Sequence, residues 1–352
     1  MKRGSALAAA VILLLGAIGL IEGTGSAEPT RRGKVISTWL AENQLGMAIV
    51  EESPGVETVP DGESVQTAEQ TNAETEHAAA IPVTEVEEAW DEEARQKETL
   101  PPSPSPIHVD GGVSIELRNE TDYEISFPDL PALPEGLDFQ LEEPTILLMH
   151  THGSESYSDP ETGVYRTQDP EKSVIAVAER MAEVLEQRGY HTVHDTTICD
   201  EPEFSGAYNR SRQVIAENLA AYPTIALVLD IHRDAVENEN GQQMRMACQL
   251  GDETSAQLML VVGTDAGGLE HPNWRQNLSL AAVLQSRMAG TWAGIMRPLN
   301  LRTERFNQDL APLDLLVEVG ASGNTLEEAM AAGAHFAEAL SDVLDQYSGK
   351  SS

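Results

Sequence analysis

A chain of 352 residues allows one or two folded units. With 58 Asp and Glu against 22 Lys and Arg, its formal net charge is -36, which repels phosphate backbones. No run of Lys or Arg offers a basic patch, so no nucleic-acid partner is expected.

Lys2 and Arg3 precede an apolar run from Ala6 to Ile21. A basic segment followed by such a run is an export signal. Its length, about 16 residues, falls just short of the ~17–25 of a spanning helix. Gly25, Ser26 and Ala27 offer small residues for cleavage, and no cysteine follows that could carry a lipid. Cleaved signal and uncleaved anchor both remain open, with the anchor favoured. Either way the rest of the chain is expected outside the cytoplasm, exported or membrane-anchored. Residues 1–27 form this segment. Residues 28–143 read as a membrane-proximal region and linker. Within it, residues 51–100 are rich in Glu, Thr, Ala and Pro, with Trp90 nearly the lone aromatic, and are expected to be disordered. Pro101 to Pro106 is a stiff, extended spacer.

A folded domain is expected over 144–349. Thr145 to Met149 reads as a buried strand. A helix over 173–188 follows from Val174, Val177, Ala178, Met181, Val184 and Leu185, with Gly189 beyond its end. Tyr190–His194 is the next strand and Ser211–Ala221 the next helix. Strands are expected at Thr224–Ile231, Gln257–Val262 and Leu315–Val319, and long helices at Leu278–Ile295 and Leu326–Tyr347. Thr325 and Glu328 make a capping box for the last helix. Strands alternating with amphipathic helices give an α/β domain with a mixed, largely parallel sheet flanked by helices. Cys199 and Cys248 are too few for a disulfide framework and read as two small buried residues, or at most one bridge.

Sites in such sheets form beyond the carboxyl ends of strands. Three strand ends carry imidazole or carboxylate where turn residues are usual: His150-Thr151-His152 with Glu155, Asp230-Ile231-His232-Arg233-Asp234, and Glu318 within Leu316–Gly320. Neutral imidazole and carboxylate are the donors that Zn²⁺ takes in catalytic sites. A nearby carboxylate can then take a proton from an activated water. Each residue also has a structural reading. A lone strand-end histidine is usually just hydrogen-bonded, although His150 and His152, two apart, would share one side of an extended strand. Glu318 sits in an apolar run, where a carboxylate is costly unless paired or used. Asp230 can simply orient His232. His191 and His194 read as structural, His271 and His335 have no partners near in sequence, and His77 and His108 lie in the tail.

The same stretches, with Tyr208–Arg212, Val261–Gly263, Asn273–Leu278, Phe306–Leu310 and Asn324–Glu328, resemble the stage II sporulation protein P family over about residues 144–347. The resemblance implies a fold like that of zinc-dependent N-acetylmuramoyl-L-alanine amidases. It implies a peptidoglycan hydrolase that cuts the amide between the glycan's lactyl group and the stem peptide, with endopeptidase action on cross-links, during engulfment. Carried over by position, His232 is a Zn²⁺ ligand and Glu318 the catalytic carboxylate. His152 is favoured as the second ligand over His150, because His152-Gly153 matches the wider amidase pattern. Glu155 is favoured as the third, with Glu171 the alternative. Asp230 and Arg233 flank the set. Stage II sporulation proteins D and M are the implied partners, alongside peptidoglycan and the membrane. The competing reading is an inactive amidase-like module that binds wall or serves as a scaffold.

Overall fold

The computed structural model describes residues 47–49, 105–108, 114–159 and 163–347. The expected export segment, the acidic stretch and the spacer through Pro104 lie outside the described residues. In chain order the strands are β1 (Met47–Ile49), β2 (Ser105–His108), β3 (Ser114–Asn119), β4 (Ile146–Met149), β5 (Thr192–His194), β6 (Leu227–Asp234), β7 (Met244–Leu250), β8 (Glu253–Ala256), β9 (Leu258–Val262), β10 (Leu299–Leu301) and β11 (Leu313–Ala321). The helices are α1 (Val174–Gln187), α2 (Ala207–Ala221), α3 (Trp274–Thr291) and α4 (Leu326–Tyr347).

Eight strands form one sheet in the order β2-β3-β10-β9-β11-β6-β4-β5. The pairs β3–β10, β10–β9, β11–β6, β6–β4 and β4–β5 are parallel. The pairs β2–β3 and β9–β11 are antiparallel, so the sheet is mixed and largely parallel, as expected. The central strands are near-continuous apolar runs because helices cover the sheet. All of β4 is buried, and so is β11 except Glu318. Pro106, which cannot donate to a ladder, lies on the edge strand β2.

The capping chemistry forms as read. Ser173 Oγ accepts from Ile175 N at the start of α1, and Gly189 beyond its end has φ +86°. Thr325 Oγ1 accepts from Glu328 N, and Glu328 Oε2 from Thr325 N, both at 3.3 Å. Helices α1 and α4 pack closely at Gly333, where a Cβ would lie 2.9 Å from Val177 Cγ1.

Several elements differ from the sequence reading. Helix α2 begins four residues before Ser211, after Gly206 at φ +74°. Helix α3 begins at Trp274 and stops at Thr291, ahead of Gly294 at φ +86°. A hairpin of β7 and β8 turns at Gly251, and β1 pairs with β7. Residues 114–143, assigned to the linker, put β3 into the sheet and buried Ile115, Leu117 and Phe139 into the core. Cys199 and Cys248 are both unbridged. No helix among the described residues is long and apolar enough to cross a membrane.

Candidate active site

The chain turns sharply after β4, so His150 and His152 do not share one side of a strand; this corrects the extended-strand expectation. His150 points into the protein and is fully buried. Its Nδ1 donates to Ile231 O at 3.1 Å, and its Nε2 lies 3.1 Å from His194 Nε2. Burial and neighbouring His194 push its pKa down to about 3. Both its nitrogens are thus engaged in the interior.

His152 points the other way. Its ring stacks on Phe204 with centroids 4.3 Å apart and planes 1° apart, and lies 5.3 Å from the His232 ring. Its Nδ1 has no hydrogen-bond partner, the nearest carboxylate being Asp200 Oδ2 at 3.8 Å. Burial pushes its pKa down to about 4, against the pull of Glu155, so the ring is neutral at pH 7.

Glu155 sits in the turn below. Its Oε2 accepts from Arg233 N at 3.1 Å and lies 3.4 Å from His232 Nδ1. Burial raises this carboxyl, but Arg233, His232 and His152 outweigh it and hold the group well below the usual carboxylate range. Arg233 also fixes the loop around it, donating to Ser156 O at 2.9 Å and Tyr165 O at 2.7 Å.

His232 and Asp230 alternate along β6 and therefore share a face. Asp230 Oδ1 is 2.9 Å from His232 Nε2, although the contact lacks hydrogen-bond alignment and that nitrogen is otherwise unpartnered. Asp230 itself accepts from Thr151 N at 2.8 Å and Thr151 Oγ1 at 2.6 Å. Burial lowers the His232 pKa, but Asp230 and Glu155 more than reverse this and raise it well above the ordinary value.

Glu318 stands opposite His232 in the parallel register of β11 and β6. Its Oε2 is buried without a hydrogen-bond partner. Burial, then Asp234, push its pKa up to about 8, against the pull of His232 and Arg297. Asp234 is paired with Arg297 at 2.5 Å. Glu171, the alternative ligand, is exposed in a short turn over Pro170–Lys172, capped by Asp169.

The fold thus brings His152, Glu155, Asp230, His232, Arg233 and Glu318 together and leaves His150 and Glu171 out. Sequence reasoning missed Asp200, which accepts from Ser154 Oγ at 2.5 Å and Arg166 at 2.6 Å beside His152, and missed Phe204 beneath that ring. Both lie in the irregular segment before α2, where no periodicity marks a face.

Among the described residues, no three such side chains close on a metal-sized point. The donor set nevertheless fits a divalent cation. It offers one neutral imidazole with an unpartnered buried nitrogen, one ionised carboxylate and a second imidazole beside Asp230. The two carboxylates flanking His232 already demand a positive charge there.

The family model of Stage II sporulation protein P (SpoIIP) matches residues 36–341. Stage II sporulation protein P of Bacillus subtilis (strain 168) is 25% identical over 216 residues, 57% of this chain and 51% of that protein. The chain therefore spans about half the length of the curated relative it matches. Among solved structures, an N-acetylmuramoyl-L-alanine amidase of Nostoc punctiforme is 18% identical, with TM-score 0.34, over 58% of this chain and 97% of that one. The CwlD amidase of Clostridioides difficile, solved with the GerS lipoprotein, is 13% identical, with TM-score 0.36, over 59% and 100%. With the family model matched over most of its length, the chain belongs to the Stage II sporulation protein P family.

Proposed function

We propose that this protein is a zinc-dependent peptidoglycan hydrolase of sporulation that cleaves the amide between the lactyl group of the glycan and the stem peptide. The observation that supports it most is the meeting of His152, Glu155 and His232 beside an acid of raised pKa, Glu318.

Zinc, when bound by His152, Glu155 and His232, supplies Lewis acidity that polarises a carbonyl and acidifies a water. The chain's own residues do the rest. Asp230 Oδ1 lies 2.9 Å from His232 Nε2 on one side of the ring, and Nδ1 faces Glu155 on the other. Arg233 and the turn around Ser156 and Tyr165 keep Glu155 ionised and in place. Glu318 takes the proton of the attacking water as its oxygen bonds to the amide carbon. It then passes that proton to the nitrogen as the C–N bond breaks. A group with pKa near the working pH suits both transfers.

Endopeptidase action on cross-links, a role in engulfment, export or anchoring through residues 1–27, and partnership with stage II sporulation proteins D and M belong to this proposal. They rest on the family and the N-terminal sequence. The full-length chain incubated with purified cell wall should release stem peptides with a free L-alanine amino terminus, identified by mass. Products that keep peptide on sugar, or no products while the fold is intact, would overturn the reading.

A further inference from the structure

Beside the proposed centre runs a row of aromatic rings that the chemistry above leaves unused. Phe204 stacks on His152, Tyr208 meets His152 edge-on at 5.7 Å, and Phe306 tilts against Tyr208 at 5.8 Å. Phe204, Tyr208 and Phe306 are all half-buried, so the row keeps part of its surface in solvent.

Phe306 is held there against its backbone preference. Phe306 and Asn307 have φ of 55° and 59°, successive left-handed residues without a glycine between them. Strain of this kind persists where the surroundings fix it, and it concentrates at functional sites. Here Asn307 Nδ2 donates to Tyr208 O at 2.7 Å and Ser211 Oγ at 3.1 Å. Gln308 accepts from Gly263 N at 2.7 Å and donates to Val261 O at 3.0 Å. The turn is thus pinned to α2 and β9, and it carries the Phe306 ring to Tyr208.

Most cations around the row pair with acids, and Arg210 spends its donors on the carbonyls of Cys199, Glu203 and Ser205. Arg302 pairs with Glu120 at 3.1 Å and Glu304 at 3.3 Å, Arg212 with Asp309 at 2.9 Å, Arg305 with Asp309 at 3.1 Å, and Arg166 with Asp200 at 2.6 Å. An acidic peptide would need cations that are not already neutralised. A row of rings flanked by satisfied ion pairs fits a neutral ligand with flat C–H faces, such as a pyranose ring.

We propose that Tyr208 and Phe306 form a glycan-stacking subsite that seats sugar rings next to the hydrolytic centre. The site then chooses peptides by the glycan they hang from. The inference rests on the peptidoglycan reading and names the part of that substrate the row recognises.

The test uses full-length protein in detergent and a peptide-free oligosaccharide of alternating N-acetylglucosamine and N-acetylmuramic acid, with binding followed by calorimetry. Wild type should bind it. Phe306→Ala and Tyr208→Leu should each weaken binding about tenfold, and Phe306→Trp should restore it. Thermal melts confirm folding, and the Tyr208→Leu arm leaves the strained turn untouched. Failure of wild type to bind, unchanged binding in both variants, or a loss confined to a sugar-free stem peptide would overturn the subsite. Wall digestion by the same wild-type preparation reports separately on the hydrolase. Peptide release together with unchanged glycan binding in both variants sinks the subsite alone.

Discussion

Replacing Thr151 with valine exchanges one buried hydroxyl for a methyl and tests the polar wiring beneath His232. Thr151 is fully buried, and its hydroxyl donates to Asp230 Oδ2 at 2.6 Å. A bond to a buried charged group contributes about 1.5–3 kcal/mol, and a short, charge-assisted one lies toward the top of that range. Valine fills the same space, so no cavity adds to the loss. Ser211 Oγ, 2.8 Å from the Thr151 hydroxyl, keeps its bond to Tyr208 O at 3.1 Å and is not orphaned. We therefore expect Thr151→Val to lose about 2–3 kcal/mol of unfolding free energy, read from urea melts with an unchanged slope. Thr151→Ser, which keeps the hydroxyl, should lose about 1 kcal/mol. Asp230 Oδ1 also lies 2.9 Å from His232 Nε2, so zinc affinity measured by chelator competition should fall about 10–100-fold in the valine variant. A valine variant within about 0.5 kcal/mol of wild type, or a serine variant equally destabilised, would refute the reasoning by shifting the effect to packing.

Three further outcomes are expected. Glu318→Gln should keep the fold and its zinc while turnover on cell wall falls about 10²–10⁴-fold; a loss under about tenfold would argue against proton transfer by this residue. Asn324→Ala should destabilise by about 4 kcal/mol at about 1 kcal/mol per bond, because the side chain is buried and bonds Met246 N, Ala321 N, Met246 O and Glu328 Oε2. A melting shift equivalent to less than about 1 kcal/mol would contradict that count. Asp314 is buried with Oδ2 unpartnered, and burial, then Asp230 and Asp309, raise its pKa well above the ordinary value. The folded chain thus keeps a proton that the unfolded chain releases, so wild-type stability declines as pH climbs past the unfolded value, about 4. Asn does not titrate, so the advantage of Asp314→Asn should be absent in acid and grow toward neutral pH; parallel stability curves would contradict it.

The central layer was legible because its signals are local and strong. Strands β4, β6 and β11 are apolar runs too rich to lie anywhere but inside, and an acid within such a run, Glu318, needs a reason. The pairing of Asp230 with His232 followed from two-residue spacing on a strand. The same spacing misled at His150 and His152, because β4 ends one residue before them and the turn sends the two rings apart. Glu155 was favoured over Glu171 from its place in the first motif, and what the sequence did not show is that the turn folds Glu155 under His232 while Glu171 faces solvent. Asp200, Phe204 and Phe306 come from irregular segments, and only tertiary packing brings them to the site. Strand β3 was hidden for a related reason. At six residues, with exposed Glu116 between buried Ile115 and Leu117, it is too short to stand out beside an acidic linker.

The most direct test of the account is a zinc titration of chelator-stripped, full-length protein, following release of peptide amino termini from purified wall. The account predicts no release without added metal and recovery that saturates at about one zinc per chain. Undiminished release in the presence of chelator would contradict it.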